Sequence, residues 1–175
     1  AAHKKFLLAR LAELCLFGAF VLLHYTHDSW LISDVLAAYP AQLNWAEQLA
    51  ALLIVAAALV KCAQLPLHGW LPKAMVAPAP VSALLHSAAM VAMGGFLLLR
   101  VEPLLAATGW AGPVAAWLGM LTAVLMGIVA LAQRELKQLL AASTVAQLGF
   151  VVLAAGVGAV SGGAAHLVAH ASTKA

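Results

Sequence analysis

Apolar residues run through this chain in long unbroken blocks, separated by short polar or proline-rich stretches. The blocks are Phe6–Leu23, Trp45–Cys62 with a continuation through prolines to Ala77, Val81–Leu99, Pro113–Leu131, Leu139–Ala159 and Ala164–Ala175. A membrane-spanning helix needs roughly 17–25 apolar residues, and all but the last block reach or approach that length. Sustained apolar–polar alternation is absent, which argues against a barrel. Pro80 and Pro113 stand at block starts, where the first helical turn tolerates a missing N–H. The pattern predicts an all-α fold, a polytopic transmembrane helix bundle. Residues 1–175 form one membrane domain of about six segments: 6–23, 45–77 (broken), 81–99, 113–131, 139–159 and 164–175 (truncated).

The second block is interrupted in an informative way. Lys61 closes the run Leu49–Val60 and is followed by Cys-Ala-Gln-Leu-Pro66-Leu-His68-Gly-Trp-Leu-Pro72. If 45–60 is helix, a rise of about 1.5 Å per residue puts Lys61 roughly 24 Å along it, within or near hydrocarbon. A lysine at that depth costs about 2.5–3.5 kcal/mol on insertion scales and is rarely without use. Pro66 lacks the backbone donor that would continue the helix. The stretch reads as a broken membrane helix near Lys61, with Pro66, His68 and Pro72 shaping the break. Such breaks occur where the freed backbone lines protein or water.

Composition fixes the class. Hydrophobic residues make up 65% and charged residues 9%, with mean hydropathy +1.02. Soluble domains carry about 25% charged residues, so this is an integral membrane protein in contact with the lipid bilayer. The net charge of +3 says little about nucleic acid, because the basic residues are scattered singly, and no nucleic-acid partner is expected. Lys4, Lys5, Arg10, Lys73, Arg134 and Lys137 fall on one side if all six segments span. Asp28, Asp34, Glu47 and Glu102 fall on the other with Arg100 alone. The positive-inside rule makes the first side cytoplasmic and puts Trp30, Trp45 and Trp110 in the opposite aromatic belt. Cys15 and Cys62 sit among apolar residues and read as small buried hydrophobes. No phosphate loop, haem-attachment motif, metal-type cysteine pair or nucleophilic triad is visible, so no cofactor, metal or catalytic redox site is expected in this chain. The chain reads as an internal fragment of a longer polytopic protein.

Within the apolar blocks, His166, His170 and Lys174 recur every four residues, which on a helix forms one stripe. Ionisable groups inside membranes usually face the bundle interior and mark proton relays. Histidine exchanges a proton near neutrality. The same stripe would also suit an interfacial helix end. His86, beside Ser82 and Ser87, is either a relay member or a packing histidine. Glu13, inside the first block, pairs either with a buried lysine or with nearby Arg10.

Three ordered motifs resemble a known family. Lys61-Cys-Ala-Gln-Leu-Pro-Leu-His-Gly-Trp-Leu-Pro72 followed by Ala77-Pro-Ala-Pro-Val-Ser-Ala-Leu-Leu-His86 is similar to the antiporter-like membrane subunits of respiratory complex I and the large subunit of Mrp-type Na+/H+ antiporters. Ala130–Gly149 and His166–Ala175 resemble that family's next two signatures. The resemblance implies a proton-translocating subunit built from inverted five-helix repeats, each with a broken helix near the midplane. It implies that Lys61 is the central broken-helix lysine, that His86, His166, His170 and Lys174 lie on the polar axis, and that Glu13 occupies an acidic position. The glutamate that normally pairs with the central lysine would lie outside this chain. Any enzyme activity would be at most that of a translocase subunit of an NADH:quinone oxidoreductase. Partners would be other membrane subunits of a multi-subunit complex, in a bacterial inner membrane.

Some residues depart from the respiratory pattern. Lys73 stands where an aspartate is usual, Val76-Ala77 replaces a Glu-Gly or Gly-containing pair, Ala79 replaces threonine, and Ser172-Thr173 replaces bulkier residues. His68-Gly-Trp-Leu, Gly94-Gly-Phe, Ser143-Thr-Val-Ala-Gln and His166-Leu-Val-Ala-His resemble a third branch, the membrane subunit of the Dab inorganic-carbon pump. The ion-coupled energising subunit of a bicarbonate uptake pump and an Mrp-type antiporter subunit are the alternative readings.

Overall fold

A computed structural model describes residues 2–37, 43–76, 78 and 91–174. Among the described residues the regular structure is helical throughout, with no strand. The α-helices are α1 (Ala2–His27), α2 (Ile32–Ala37), α3 (Trp45–Lys61), α4 (Ala92–Arg100), α5 (Glu102–Thr108), α6 (Ala111–Leu131), α7 (Leu136–Gly156) and α8 (Val160–Lys174). Among the described residues three helical stretches are long and apolar enough to cross a membrane: Phe6–His27, Ala111–Leu131 and Leu136–Gly156.

The sequence blocks differ from the helices at their ends, for local reasons. The fifth block shifts toward the N-terminus: α7 begins at Leu136 after extended Glu135 and stops at Gly156. Gly158 then takes a left-handed φ of 76°, which glycine adopts freely, and α8 restarts at Val160. The continuation of the second block is not a regular helix but two 3-10 turns, Leu67–Trp70 and Pro72–Val76. Of the third block, residues 81–90, with His86, lie outside the described residues. Two short helices, α2 and α5, were not legible as apolar blocks. α5 ends on Gly109, left-handed at φ 72°.

Paired contacts give the helix directions. Glu13 meets Lys61 and His27 meets Glu47, so α1 and α3 run antiparallel. Gly119 faces Gly149 and Gly112 faces Gly156, so α6 and α7 also run antiparallel. Here the backbones touch: a Cβ on Gly119 would lie 2.6 Å from the Gly149 carbonyl oxygen, and one on Gly149 would lie 2.7 Å from the Gly119 oxygen. Small residues allow this close approach, which drives helix association in lipid where apolar burial alone does not. The buried core between the helices is rich in alanine and valine, including Ala50, Ala51, Ala58, Val145, Val151 and Val152. The larger apolar side chains Phe6, Phe17, Trp117, Val124 and Leu131 point outward.

The two ends of the bundle differ. At one, Lys137 Nζ donates to the Met75 carbonyl at 3.4 Å and Gln138 to the Pro72 carbonyl at 3.4 Å. At the other, Trp110 Nε1 donates to Gln48 Oε1 at 2.6 Å, and His27 Nε2 lies 2.8 Å from Glu47 Oε1. Glu47 there closes a capping box with Asn44 that starts α3. The turn holding Lys73 and the α7 start holding Lys137 therefore share one end, and Glu47 and Trp110 share the other.

Candidate functional site

The chain turns sharply after Lys61, the last residue of α3. Cys62 caps the helix and Ala63 takes a left-handed φ of 51°, so the ladder cannot propagate. Every break in a membrane helix frees backbone groups that need partners in a medium without water. Here side chains supply them. Trp70 Nε1 donates to the Val60 carbonyl at 3.2 Å, and Gln64 Nε2 donates to the Cys62 carbonyl at 3.1 Å. Thr122 Oγ1 accepts from the Leu65 amide at 3.2 Å while donating to the Leu118 carbonyl at 2.7 Å. Cys62 Sγ contacts the Val91 carbonyl at 3.3 Å. Trp70 thus has a defined use in the break. Pro66 is exposed and follows a cis peptide, while His68 and Pro72 are half-buried in the 3-10 turns.

Lys61 points at α1. Its Nζ lies 3.6 Å from Glu13 Oε1, and the other carboxylate oxygen of Glu13 lies 2.8 Å from Arg10 Nη1. Both partners that the sequence left open for Glu13 are therefore present at once. Glu13 stands near the middle of α1, Thr122 near the middle of α6 and Val145 near the middle of α7. The break touches all three, so Lys61 sits at mid-depth in the bundle. The helix break, not the length of the apolar run, fixes that depth.

The C-terminal stripe forms a second group. The polar residues His166, His170, Thr173 and Lys174 of α8, with Ser143 and Gln147 of α7, line a cavity of about 280 Å³. Lys174 Nζ donates to Ser143 Oγ. The imidazole of His166 meets the Phe150 ring edge-on at 5.8 Å, and its Nε2 has no hydrogen-bond partner among the described residues. His170 is 4% exposed. A cavity lined by two imidazoles, two hydroxyls, an amide and an ammonium can hold protonatable groups and polar hydrogens in succession. His86 lies outside the described residues.

Several contributors were not singled out from sequence. Ser143 and Gln147 are spaced four apart, a pattern that would have marked a polar stripe facing α8. Thr122 gives no sequence hint, since a lone threonine in an apolar helix usually bonds its own backbone. Gln64 is 0% exposed in the break, and only its position between Lys61 and Pro66 could have flagged it. Among the described residues no group of three His, Cys, Asp or Glu side chains is arranged to hold a metal.

Over 177 residues the chain is 44% identical to the probable inorganic carbon transporter subunit DabB of Hydrogenovibrio crunogenus, covering 100% of this chain and 34% of that protein. It is 39% identical over 181 residues to the chloroplastic NAD(P)H-quinone oxidoreductase subunit 5 of Adiantum capillus-veneris, covering 100% of this chain and 25% of that protein. The fold superimposes on a chain in the structure of the Mrp complex from a Dietzia species with a TM-score of 0.89 and 40% identity, covering 99% of this chain and 20% of that one. The chain spans about a third or less of the length of these relatives, which by their names are subunits or parts of complexes. Residues 1–175 match the family described as NADH:quinone oxidoreductase/Mrp antiporter, transmembrane, and the chain belongs to that family of antiporter-like membrane subunits.

Proposed function

We propose that the full-length protein translocates protons, with Lys61 as the switching base and the His166–His170–Lys174 cavity as the start of a lateral relay. The observation that carries this reading is the Lys61–Glu13 contact of 3.6 Å at a helix break level with the middle of the long helices. Burial in a low-dielectric bundle favours release of a lysine's proton, and a nearby carboxylate favours its retention. A shift of α1 that moves Glu13 relative to Lys61 would therefore load or unload the lysine. The relay would then carry the proton sideways, and Lys174 would pass it on. The decisive experiment is proton flux in membrane vesicles carrying full-length Lys61→Met protein, which keeps an apolar stem but no titratable amine. Loss of flux with intact assembly supports the role, and near-normal flux rejects it.

A second reading concerns the parent assembly. Identity over the whole chain is 44% to the probable inorganic carbon transporter subunits of Hydrogenovibrio crunogenus and Halothiobacillus neapolitanus, against 39% to the chloroplast subunit of Adiantum capillus-veneris, while other chloroplast subunits reach 46% over 73% and 50% over 67% of the chain. This difference, with Lys73 and the His68-Gly-Trp-Leu stretch, favours an energising subunit of an inorganic-carbon pump in a bacterial inner membrane over a respiratory complex. Copurification of the full-length protein with a large soluble zinc protein supports the pump. Copurification with other antiporter-like subunits and a quinone-reducing arm supports the respiratory assembly.

A further inference from the structure

Gln64 is the most deeply buried polar side chain of the helix break, at 0% exposure. Its Nε2 donates to two carbonyls, Cys62 at 3.1 Å within the break and Val145 at 3.5 Å on α7. Two carbonyl partners fix which end of the amide is nitrogen, because a carbonyl accepts and cannot donate. The other end, Oε1, has no hydrogen-bond partner among the described residues. An acceptor stranded in the interior costs about 1–3 kcal/mol, and native proteins rarely keep one without a reason. A methionine has similar length without the stranded oxygen.

The position of this amide matters. Gln64 lies three residues beyond Lys61, and its nitrogen is tied to the helix that carries Ser143 and Gln147 two residues to either side of Val145. Ser143 bonds Lys174, and Gln147 lines the cavity with His166 and His170. Gln64 is therefore the side chain that spans from the broken helix of the switching lysine to the helix of the relay.

We propose that Gln64 is a positioning residue of the proton path. Its Oε1 accepts a hydrogen bond from the water that carries the proton between Lys61 and the relay cavity, and its Nε2 holds that oxygen in place against α7. The amide has no titratable proton of its own, so it orients the carrier and does not exchange with it. The inference rests on the reading of Lys61 and the His166–His170–Lys174 stripe as a proton path.

The test measures proton flux per assembled complex, over a range of pH, in vesicles carrying full-length wild-type, Gln64→Met, Gln64→Glu and Lys61→Met proteins. Gln64→Met should lower flux about tenfold or more while copurifying subunits are retained, as expected for loss of one buried hydrogen bond to the carrier. Gln64→Glu keeps an acceptor oxygen, and as a protonated acid keeps a donor for the carbonyls. It should recover flux on the acid side and lose it as pH rises and the carboxyl ionises. Flux in Gln64→Met above half of wild type overturns the inference. So does an equal loss in both Gln64 variants with no difference in pH profile, which indicates a packing role only. Active Lys61→Met protein overturns the underlying path itself. Inactive Lys61→Met with active Gln64→Met rejects the role of Gln64 and leaves the path standing.

Discussion

Lys61 Nζ and Glu13 Oε1 stand 3.6 Å apart across the seam between α1 and α3, and Arg10 holds the opposite oxygen of the same carboxylate at 2.8 Å. Glu13 is thus shared between a lysine at the helix break and an arginine one turn earlier on its own helix. Arg10 is the more exposed partner, and exposed ion pairs contribute little. The pairing that matters is the one with Lys61, whose side chain is 22% exposed.

Glu13→Gln removes the charge and keeps the shape. In the full-length protein it should slow proton flux severalfold without loss of assembly, and less severely than Lys61→Met. Lys61→Arg should also impair flux, since a guanidinium does not release its proton at working pH. Vesicle flux with quantified protein checks both. Wild-type rates in Glu13→Gln would remove Glu13 from the switching pair.

His166→Ala and His170→Ala should each have moderate effects, because Ser143, Gln147 and Lys174 in the same cavity can bond a water that replaces one imidazole. The double variant should fall well below either single one. Wild-type flux in the double variant would reduce the stripe to packing.

Thr122→Val should weaken the break rather than the long helices. It leaves the partly buried Leu65 amide without the hydroxyl that accepts it at 3.2 Å, at a cost of about 1 kcal/mol. Thr122→Ser, which keeps the hydroxyl, should be close to wild type. Thermal aggregation of detergent-solubilised protein would distinguish them, and equal stability of the two variants would count against the bond.

His27→Leu strands the Glu47 carboxylate, which is 4% exposed and otherwise bonds the Asn44 amide at 2.7 Å. Breaking one side of a buried pair costs about 3–5 kcal/mol. Adding Glu47→Gln should restore part of the loss, because the amide can still cap α3 and no buried charge remains. A double variant as unstable as His27→Leu alone would mean that the pair carries no such charge penalty.

Membrane sidedness can be checked directly. Single cysteines at Lys4, Lys73 and Arg134 should label from the cytoplasmic side, and those at Asp34 and Glu102 from the opposite side. In the fold, the Pro72–Met75 stretch meets Lys137 and Gln138 at one end of the bundle, while Glu47 and Trp110 meet at the other. Labelling of positions 73 and 102 from the same side would overturn this arrangement.

The sequence alone determined the class, the helical architecture and the break after Lys61, because each depends on local properties. Apolar run length sets a span, Pro66 stops a helix, and a lysine beyond Val60 is costly wherever it goes. It also placed His166, His170 and Lys174 on one stripe, since periodicity is a property of a single helix. The tertiary structure decided what those residues meet. It chose both Arg10 and Lys61 for Glu13, set Ser143 against Lys174, and sent Thr122, Trp70 and Gln64 to the freed groups of the break. These partners lie on different helices, and their meeting depends on the register and close approach of antiparallel pairs such as Gly119 against Gly149. Register between helices in lipid arises from backbone contact and side-chain fit across the interface, and no periodicity within one segment encodes it.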